Sequence, residues 1–425
     1  MRLRLNKDLK TVYIFATLCS LVLIAGFGVC EIYDSFSYID AWDSLSEGRL
    51  DALRTPVYPL FLHGLSVVFG LRHYLFAAIC FQHLFFLGSL YFFYRLLERF
   101  CSSRTLVFYL ALIYGVLPAI TSWNNCILTE SLALSGTVIL LELVFRTMEN
   151  PSAFRAVLIA LLLTLLLLLR PIFIYIIPVF IVFFLALLLG RKGKKGAWCI
   201  GTGVLLSSLC FILYMHEFKK EYGIFASSNV SIINQYYMAR QNNLIDTTAI
   251  RDARLRADIG EYFLQHGERV EDLSLVWEEA QEIVTRHRLD VIRESLETTA
   301  RGNAFETLRS VKNRFVSSAQ KPLWFSPIWR ISVCFYSFGF FLNTLYLFLL
   351  VYSLILVCQI FKHRKLPWNT LLLYMLGISN IIVAVVGAQD EWGRLIFPSM
   401  PIWFILVGQL CGFFKRNGQD DTLLS

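Results

Sequence analysis

In this 425-residue chain the densest run of reactive side chains is Tyr33-Asp34-Ser35-Phe36-Ser37-Tyr38-Ile39-Asp40-Ala41-Trp42, followed by Gly48 and then Arg54-Thr55-Pro56-Val57-Tyr58-Pro59-Leu60. Asp34, Tyr38 and Ala41 recur three or four residues apart, so a helix lying along a membrane surface places them on one face. A carboxylate held within a turn or two of an apolar core is partly desolvated and gains the basicity needed to take a proton from a hydroxyl. Asp43, Glu47 and Asp51 in the same segment read as solvated charge. A second set stands at the ends of apolar runs: Trp123, Asn124, Asn125 and Glu130, then Arg170, then Asp390, Glu391, Trp392 and Arg394. Ionised side chains are costly there unless they are paired or functional, and both readings are open for Glu130, Arg170 and Arg394. Arginine matches phosphate through its planar fork. One carboxylate to deprotonate an acceptor hydroxyl, with one or two arginines to hold a departing phosphate, is a sufficient kit for glycosyl transfer from a lipid phosphate.

The elements that must carry these residues follow from composition. The chain is 56% hydrophobic and 16% charged, and its apolar residues fall in runs of roughly 18 to 25, the length that crosses a bilayer. The expected fold class is an α-helical polytopic membrane protein. Lys and Arg gather in clusters at Arg2 to Lys10, Arg95 to Arg104, Arg146 to Arg155, Arg191 to Lys195, Lys362 to Lys365, and Lys415 with Arg416. The positive-inside rule puts every cluster in the cytosol. Five hairpins then connect them, with spans near 11–29, 73–94, 105–121, 127–145, 156–169, 172–189, 197–215, 331–361, 368–387 and 394–413. That plan has about ten helices and both ends in the cytosol. Arg170-Pro171 breaks what would otherwise be one very long helix. Pro56 to Gly70 is apolar but is read as re-entrant or interfacial, because a crossing there would expose Arg95, Arg99 and Arg104 outside. The first run follows Arg2, Arg4, Lys7 and Lys10, lacks a small-residue cleavage site after Cys30, and is read as retained.

Three regions result: 1–215, a transmembrane module with its first outer loop at 30–70; 216–330, an extracytoplasmic insert; and 331–425, a second transmembrane module with a short cytosolic tail. The insert alone has soluble composition, with 16 acidic and 16 basic side chains. Asp252 to His266 and Leu273 to Ala300 carry helix formers with apolar residues at helical spacing. Ser227-Ser228-Asn229-Val230-Ser231 and Asn234-Gln235-Tyr236-Tyr237 form a polar, aromatic patch that suits sugar binding or an ordinary loop, and Asn229 opens an Asn-x-Ser sequon. The ten cysteines include no C-x-x-C pair. Cys30 and Cys126 share one interface, which leaves a disulfide between them open. The seven histidines share no metal spacing, so no metal is indicated.

At these residues the chain resembles the lipid-phosphosugar-dependent glycosyltransferases of the C superfamily, the group with protein O-mannosyltransferase-like and aminoarabinose-transferase-like members. Asp34, Tyr38 and Ala41, ending in Arg54-Thr55-Pro56-Val57-Tyr58-Pro59, resemble that family's first outer loop. Leu128-Thr129-Glu130-Ser131-Leu132 resembles the start of its fourth helix, Leu169-Arg170-Pro171 its short hairpin, and Arg394-Leu395-Ile396-Phe397-Pro398 with Pro401 its late segment. The resemblance implies inverting transfer from a polyprenyl-phosphate sugar donor to a glycan, lipid or protein acceptor, with Asp34 as base. Donor-phosphate contacts are expected from Arg54, Arg170 and Arg394, and substrate contacts from Tyr38, Tyr58 and Glu130 and, in the polar patch of the insert, from Asn229 and Tyr236. Many relatives carry Asp-Glu where this chain has Asp34-Ser35, and their folded outer domain is terminal rather than internal. The expected setting is a bacterial inner membrane with the site on the periplasmic or exterior side. Nucleic acid is not among the expected partners. Two other classes fit the membrane plan: a glycan polymerase or ligase using lipid-pyrophosphate donors, and a transporter or lipid flippase. A transporter needs polar residues at mid-membrane, where His83 and Glu142 are the exceptions to apolar helix centres.

Overall fold

A computed structural model describes residues 7–31, 33–189, 194–241, 243–246, 248, 250–251, 274–287, 289–290, 293, 351–356, 368–387 and 395–422. Its main helices, in chain order, are α1 (Lys7–Phe27), α2 (Tyr33–Ser46), α3 (Val57–Phe69), α4 (Tyr74–Phe100), α5 (Arg104–Val116), α6 (Glu130–Glu149), α7 (Ala153–Leu169), α8 (Ile176–Leu189), α9 (Lys194–Tyr222), α10 (Val230–Gln241), α11 (Ser274–Arg286), α12 (Trp368–Gly387) and α13 (Met400–Thr422). Among the described residues no sheet forms. Cys30 and Cys126 make one isolated parallel pair, and both thiols are free.

Among the described residues five stretches are long and apolar enough to cross a membrane: Lys7–Phe27, Tyr74–Phe100, Glu130–Glu149, Pro171–Leu188 and Lys194–Tyr222. Shorter apolar helices run at Val57–Phe69, Arg104–Val116, Ala153–Leu169, Trp368–Ala384 and Phe397–Cys411. Helices therefore form over most of the expected spans. The span at 331–361 lies outside the described residues except for 351–356, which are helical. α3, with 13 residues, is about 20 Å long and falls short of a hydrocarbon core of about 30 Å.

Local chemistry sets the ends. Ser103 and Ser152 cap α5 and α7, their side chains accepting the N–H of Leu106 and of Arg155. Pro118, which has no N–H, holds Leu117 extended and stops α5 short of the expected residue 121. Arg170 is likewise extended (φ −155, ψ 110) before Pro171, which ends α7. Gly70 takes φ 73 where α3 turns toward α4, a left-handed value that glycine adopts without strain. α9 continues unbroken to Tyr222, past the expected boundary at 215, because its last turns bury Phe218 and Tyr222 in a second core.

The larger core joins α1 and α4 to α9 with α12 and α13, and it is filled by side chains such as Phe86, Phe93, Tyr114, Phe145, Phe180 and Phe404. α9 packs against both α7 and α8, and α4 against α6 and α5. The smaller core brings Ala52 from the segment between α2 and α3 together with Phe218, Tyr222, Ile224, Ile232, Tyr236 and Val284. At the far end of α6 from Glu130, buried Glu142 pairs with Arg146 (2.6 Å) and Arg99 (3.6 Å).

Candidate functional site

α2 buries Tyr38 and Ala41 and keeps Asp34 half-buried. The turn of chain after α2 brings Arg54 back against it. Arg54 Nη2 donates to Asp34 Oδ1 at 3.0 Å, Arg54 Nε donates to Ser37 Oγ at 2.7 Å, and the guanidinium lies 4.3 Å over the Tyr38 ring. Asp34, Arg54 and Tyr38 thus form one cluster. In it Arg54 is engaged as the partner that orients Asp34.

The cluster continues inward. Tyr38 meets Tyr58 edge-on at 5.2 Å, and the Tyr58 hydroxyl donates to Gln82 Oε1 at 2.9 Å. Gln82 Nε2 donates to the carbonyls of Asn124 (3.0 Å) and Cys126 (2.8 Å), and Ser131 Oγ donates to Asn124 Oδ1 at 2.5 Å. His83 shares a hydrogen bond with Asn125 Oδ1, whose amide in turn donates to the carbonyls of Leu23 and Gly28. These bonds bind the start of α4 to the Ser122–Asn125 turn and to the strand-like contact of Cys30 with Cys126. Gln82 is fully buried and is the hub. The sequence signal for it is an adjacent polar pair, Gln82-His83, inside an apolar run.

Next to Ser131, Glu130 pairs with Arg170 at 3.2 Å, and both are buried. The ion pair joins the start of α6 to the end of α7. It realises the pairing open in the sequence for two of the three charges. The third, Arg394, lies outside the described residues, as do Asp390, Glu391 and Trp392. Arg170 Nη1 is nevertheless buried with no hydrogen-bond partner, as are Asn124 Nδ2, Thr129 Oγ1 and Tyr175 OH. Unpaired buried donors each carry a penalty of about 1–3 kcal/mol, which a polar ligand reaching them would relieve.

Three expectations change. Asp51 is not a solvated loop charge: its Oδ1 accepts the N–H of Leu53 (2.9 Å) and of Arg54 (2.7 Å) and closes a turn. Tyr236 is a core residue, buried with Phe218 and Tyr222 rather than presented to a sugar. Asn229 is also fully buried, with its N–H donating to the Ala52 carbonyl at 2.8 Å, and neither side-chain amide atom has a partner. Among the described residues no three His, Cys, Asp or Glu side chains cluster as a metal site needs.

No protein-family model and no curated protein matches the chain. Solved structures do. The archaeal oligosaccharyltransferase AglB from Archaeoglobus fulgidus, in complex with an inhibitory peptide and a dolichol-phosphate, superposes with a TM-score of 0.52 at 13% identity over 97% of this chain and 51% of that one. An Archaeoglobus fulgidus oligosaccharyltransferase tethered through a disulfide bond to an acceptor peptide containing the NVT sequon gives 0.51 at 12% identity, over 93% of this chain and 49% of that one. Its apo form gives 0.51 at 11% identity, over 97% and 51%. The fold is similar to that of these archaeal oligosaccharyltransferases. At such identities the likeness concerns the fold, and the chain spans about half the length of those neighbours.

Proposed function

We propose that the chain is an integral-membrane glycosyltransferase, which moves a sugar with inversion from a polyprenyl-phosphate-linked donor to an acceptor on the extracytoplasmic side. The observation that carries this reading is the run of contacts from Asp34 and Arg54 through Tyr38, Tyr58 and Gln82 to the Glu130 region and Arg170, on a fold similar to that of an oligosaccharyltransferase. Asp34 takes the acceptor hydroxyl proton as that oxygen attacks the anomeric carbon. The bond from that carbon to the phosphate oxygen breaks on the opposite side, and polyprenyl phosphate departs. Arg170, with a buried nitrogen still to be satisfied, and Arg394 stabilise the leaving phosphate. Arg54 holds Asp34 and adds positive charge beside it. Tyr38, under the Arg54 guanidinium, and the buried Tyr58 are core residues that pack behind Asp34 and Arg54 and support them, rather than substrate contacts. The plan keeps ten crossings, with α3 re-entrant.

Of the polar residues a transporter would use, Glu142 is paired with Arg146 and Arg99, and His83 Nε2 shares a hydrogen bond with Asn125. A second enzymatic reading has an observation in its favour: the neighbouring fold belongs to an oligosaccharyltransferase, so a lipid-pyrophosphate oligosaccharide is the competing donor. Incubating the purified full chain with radiolabelled polyprenyl-phosphate monosaccharides and polyprenyl-pyrophosphate oligosaccharides separates them. Product from the monophosphate donors is expected. Product from the pyrophosphate donors alone would replace the first reading with the second.

A further inference from the structure

Residues 50–54 stand between the small core and Asp34, and they are bonded to both. The Leu50 N–H donates to the Glu221 carboxylate, at 2.9 and 3.2 Å from its two oxygens, and the Leu50 carbonyl accepts the Tyr222 hydroxyl at 2.6 Å. The Ala52 carbonyl accepts the Asn229 N–H at 2.8 Å, and the Ala52 side chain is buried among Phe218, Tyr222 and Ile232. The clip is thereby fastened to the end of α9 and to the residue before α10.

Between these anchor points Asp51 turns its carboxylate inward, and its Oδ1 holds the N–H groups of Leu53 and Arg54. The turn fixes the backbone from which the Arg54 side chain reaches Ser37, Asp34 and the face of Tyr38. Asp51 touches none of the groups that would react. It sets the residue that sets Asp34.

We infer that Asp51 is a positioning residue, which holds Arg54, and through it Asp34, in register with the seat of the insert at Leu50 and Ala52. The inference rests on the glycosyl-transfer reading for its catalytic consequence and on the hydrogen bonds alone for its geometry. Misplacing a catalytic group by about 1 Å can lower the rate as much as 10²-fold, so a partial loosening is expected to lower kcat about tenfold with KM for the lipid donor held within about threefold. Asp51→Asn keeps an oxygen at the accepting position and therefore restores most of the loss, whereas Asp51→Ala keeps nothing.

Two measurements on the full chain in detergent test it. In amide hydrogen exchange, Asp51→Ala is expected to speed exchange of peptides covering 33–54 while the peptides of α4 and α6 stay as in the wild type, and Asp51→Asn is expected to restore the slow exchange. In turnover with a polyprenyl-phosphate hexose, Asp51→Ala is expected to show the fall in kcat without the rise in KM. Unchanged exchange at 33–54, or unchanged kcat beside faster exchange, overturns the proposal, and so does a loss that Asp51→Asn fails to rescue. If the wild type turns over no lipid-linked sugar, the functional reading fails and the exchange result alone decides the positioning claim. Should Asp51→Ala not be recovered folded, Tyr222→Phe removes only the hydroxyl bonded to Leu50, and the same pattern at smaller size is expected from it.

Discussion

Glu130 and Arg170 illustrate what a buried charge asks of its neighbours. Each sits at a helix end, 0% and 7% exposed in its side chain, and each is compensated by the other at 3.2 Å. Removing one partner leaves a buried charge alone, so Arg170→Ala is expected to lower stability by about 3–5 kcal/mol, read as a lower thermal midpoint in detergent. A midpoint within error of the wild type would show that the pair is not buried as described. Asp51 gives the other residue-scale expectation. Burial pushes its carboxyl above the ordinary aspartate range, against the opposing pull of the Arg54 and Leu53 N–H groups and of the Arg54 charge. An acid whose folded value is raised binds its proton more tightly when folded, so folding gains stability as pH falls through that raised value. Wild type is therefore expected to gain midpoint relative to Asp51→Asn as the pH is lowered from 7 toward 4. A flat or opposite difference would contradict it. Asp34, Tyr38 and Arg54 were legible in the sequence because they lie within one short segment and their spacing is helical. Gln82 was not, since its partners Tyr58, Asn124 and Cys126 are 24 to 44 residues away. Tyr236 misled because an aromatic in a soluble stretch reads alike whether it faces solvent or packs in a core.

Elements were easier to find than contacts. Hydrophobic length is a local property, so α1, α4 and α9 could be read directly, and the breaks at Leu117 and Arg170 follow from the prolines after them. Which helix lies beside which is not local. α7 and α8 both pack on α9, and the reason is a glycine surface: a Cβ at Gly203 would meet the Ala156 carbonyl oxygen and Ile159 Cγ2, each at 2.8 Å. Small residues let helices approach closely where apolar lipid supplies no hydrophobic drive between them. Gly203→Val is expected to lower stability by about 1–3 kcal/mol through overpacking against that carbonyl, seen as reduced thermal midpoint, with substrate binding unaffected if the protein is kept cold. An unchanged midpoint would mean that α7 and α9 stand further apart. The end of α9 at Tyr222, beyond the apolar run, was illegible because the last turns are held by the small core rather than by the bilayer.

On the scale of the whole molecule the described residues form two cores, one in the helix bundle and one built from the end of α9 with α10 and α11, and the segment from Leu50 to Arg54 joins them beside Asp34. Its bonds to Glu221, Tyr222 and Asn229 tie the smaller core to the Asp34 cluster. Charge placement in the sequence implied that the candidate residues share one membrane face. Among the described residues Asp34 pairs with Arg54 and Glu130 with Arg170, and contacts through Tyr58, Gln82 and Asn124 link the two pairs. The central claim, that this site transfers sugar with Asp34 as the base, is tested most directly by one comparison. Sugar transfer from a polyprenyl-phosphate donor is measured for the wild type and for Asp34→Asn, with both shown by thermal midpoint to be folded. The expected result is turnover in the wild type and its loss, by about 10² or more, in the variant. Turnover by Asp34→Asn at the wild-type rate would contradict it.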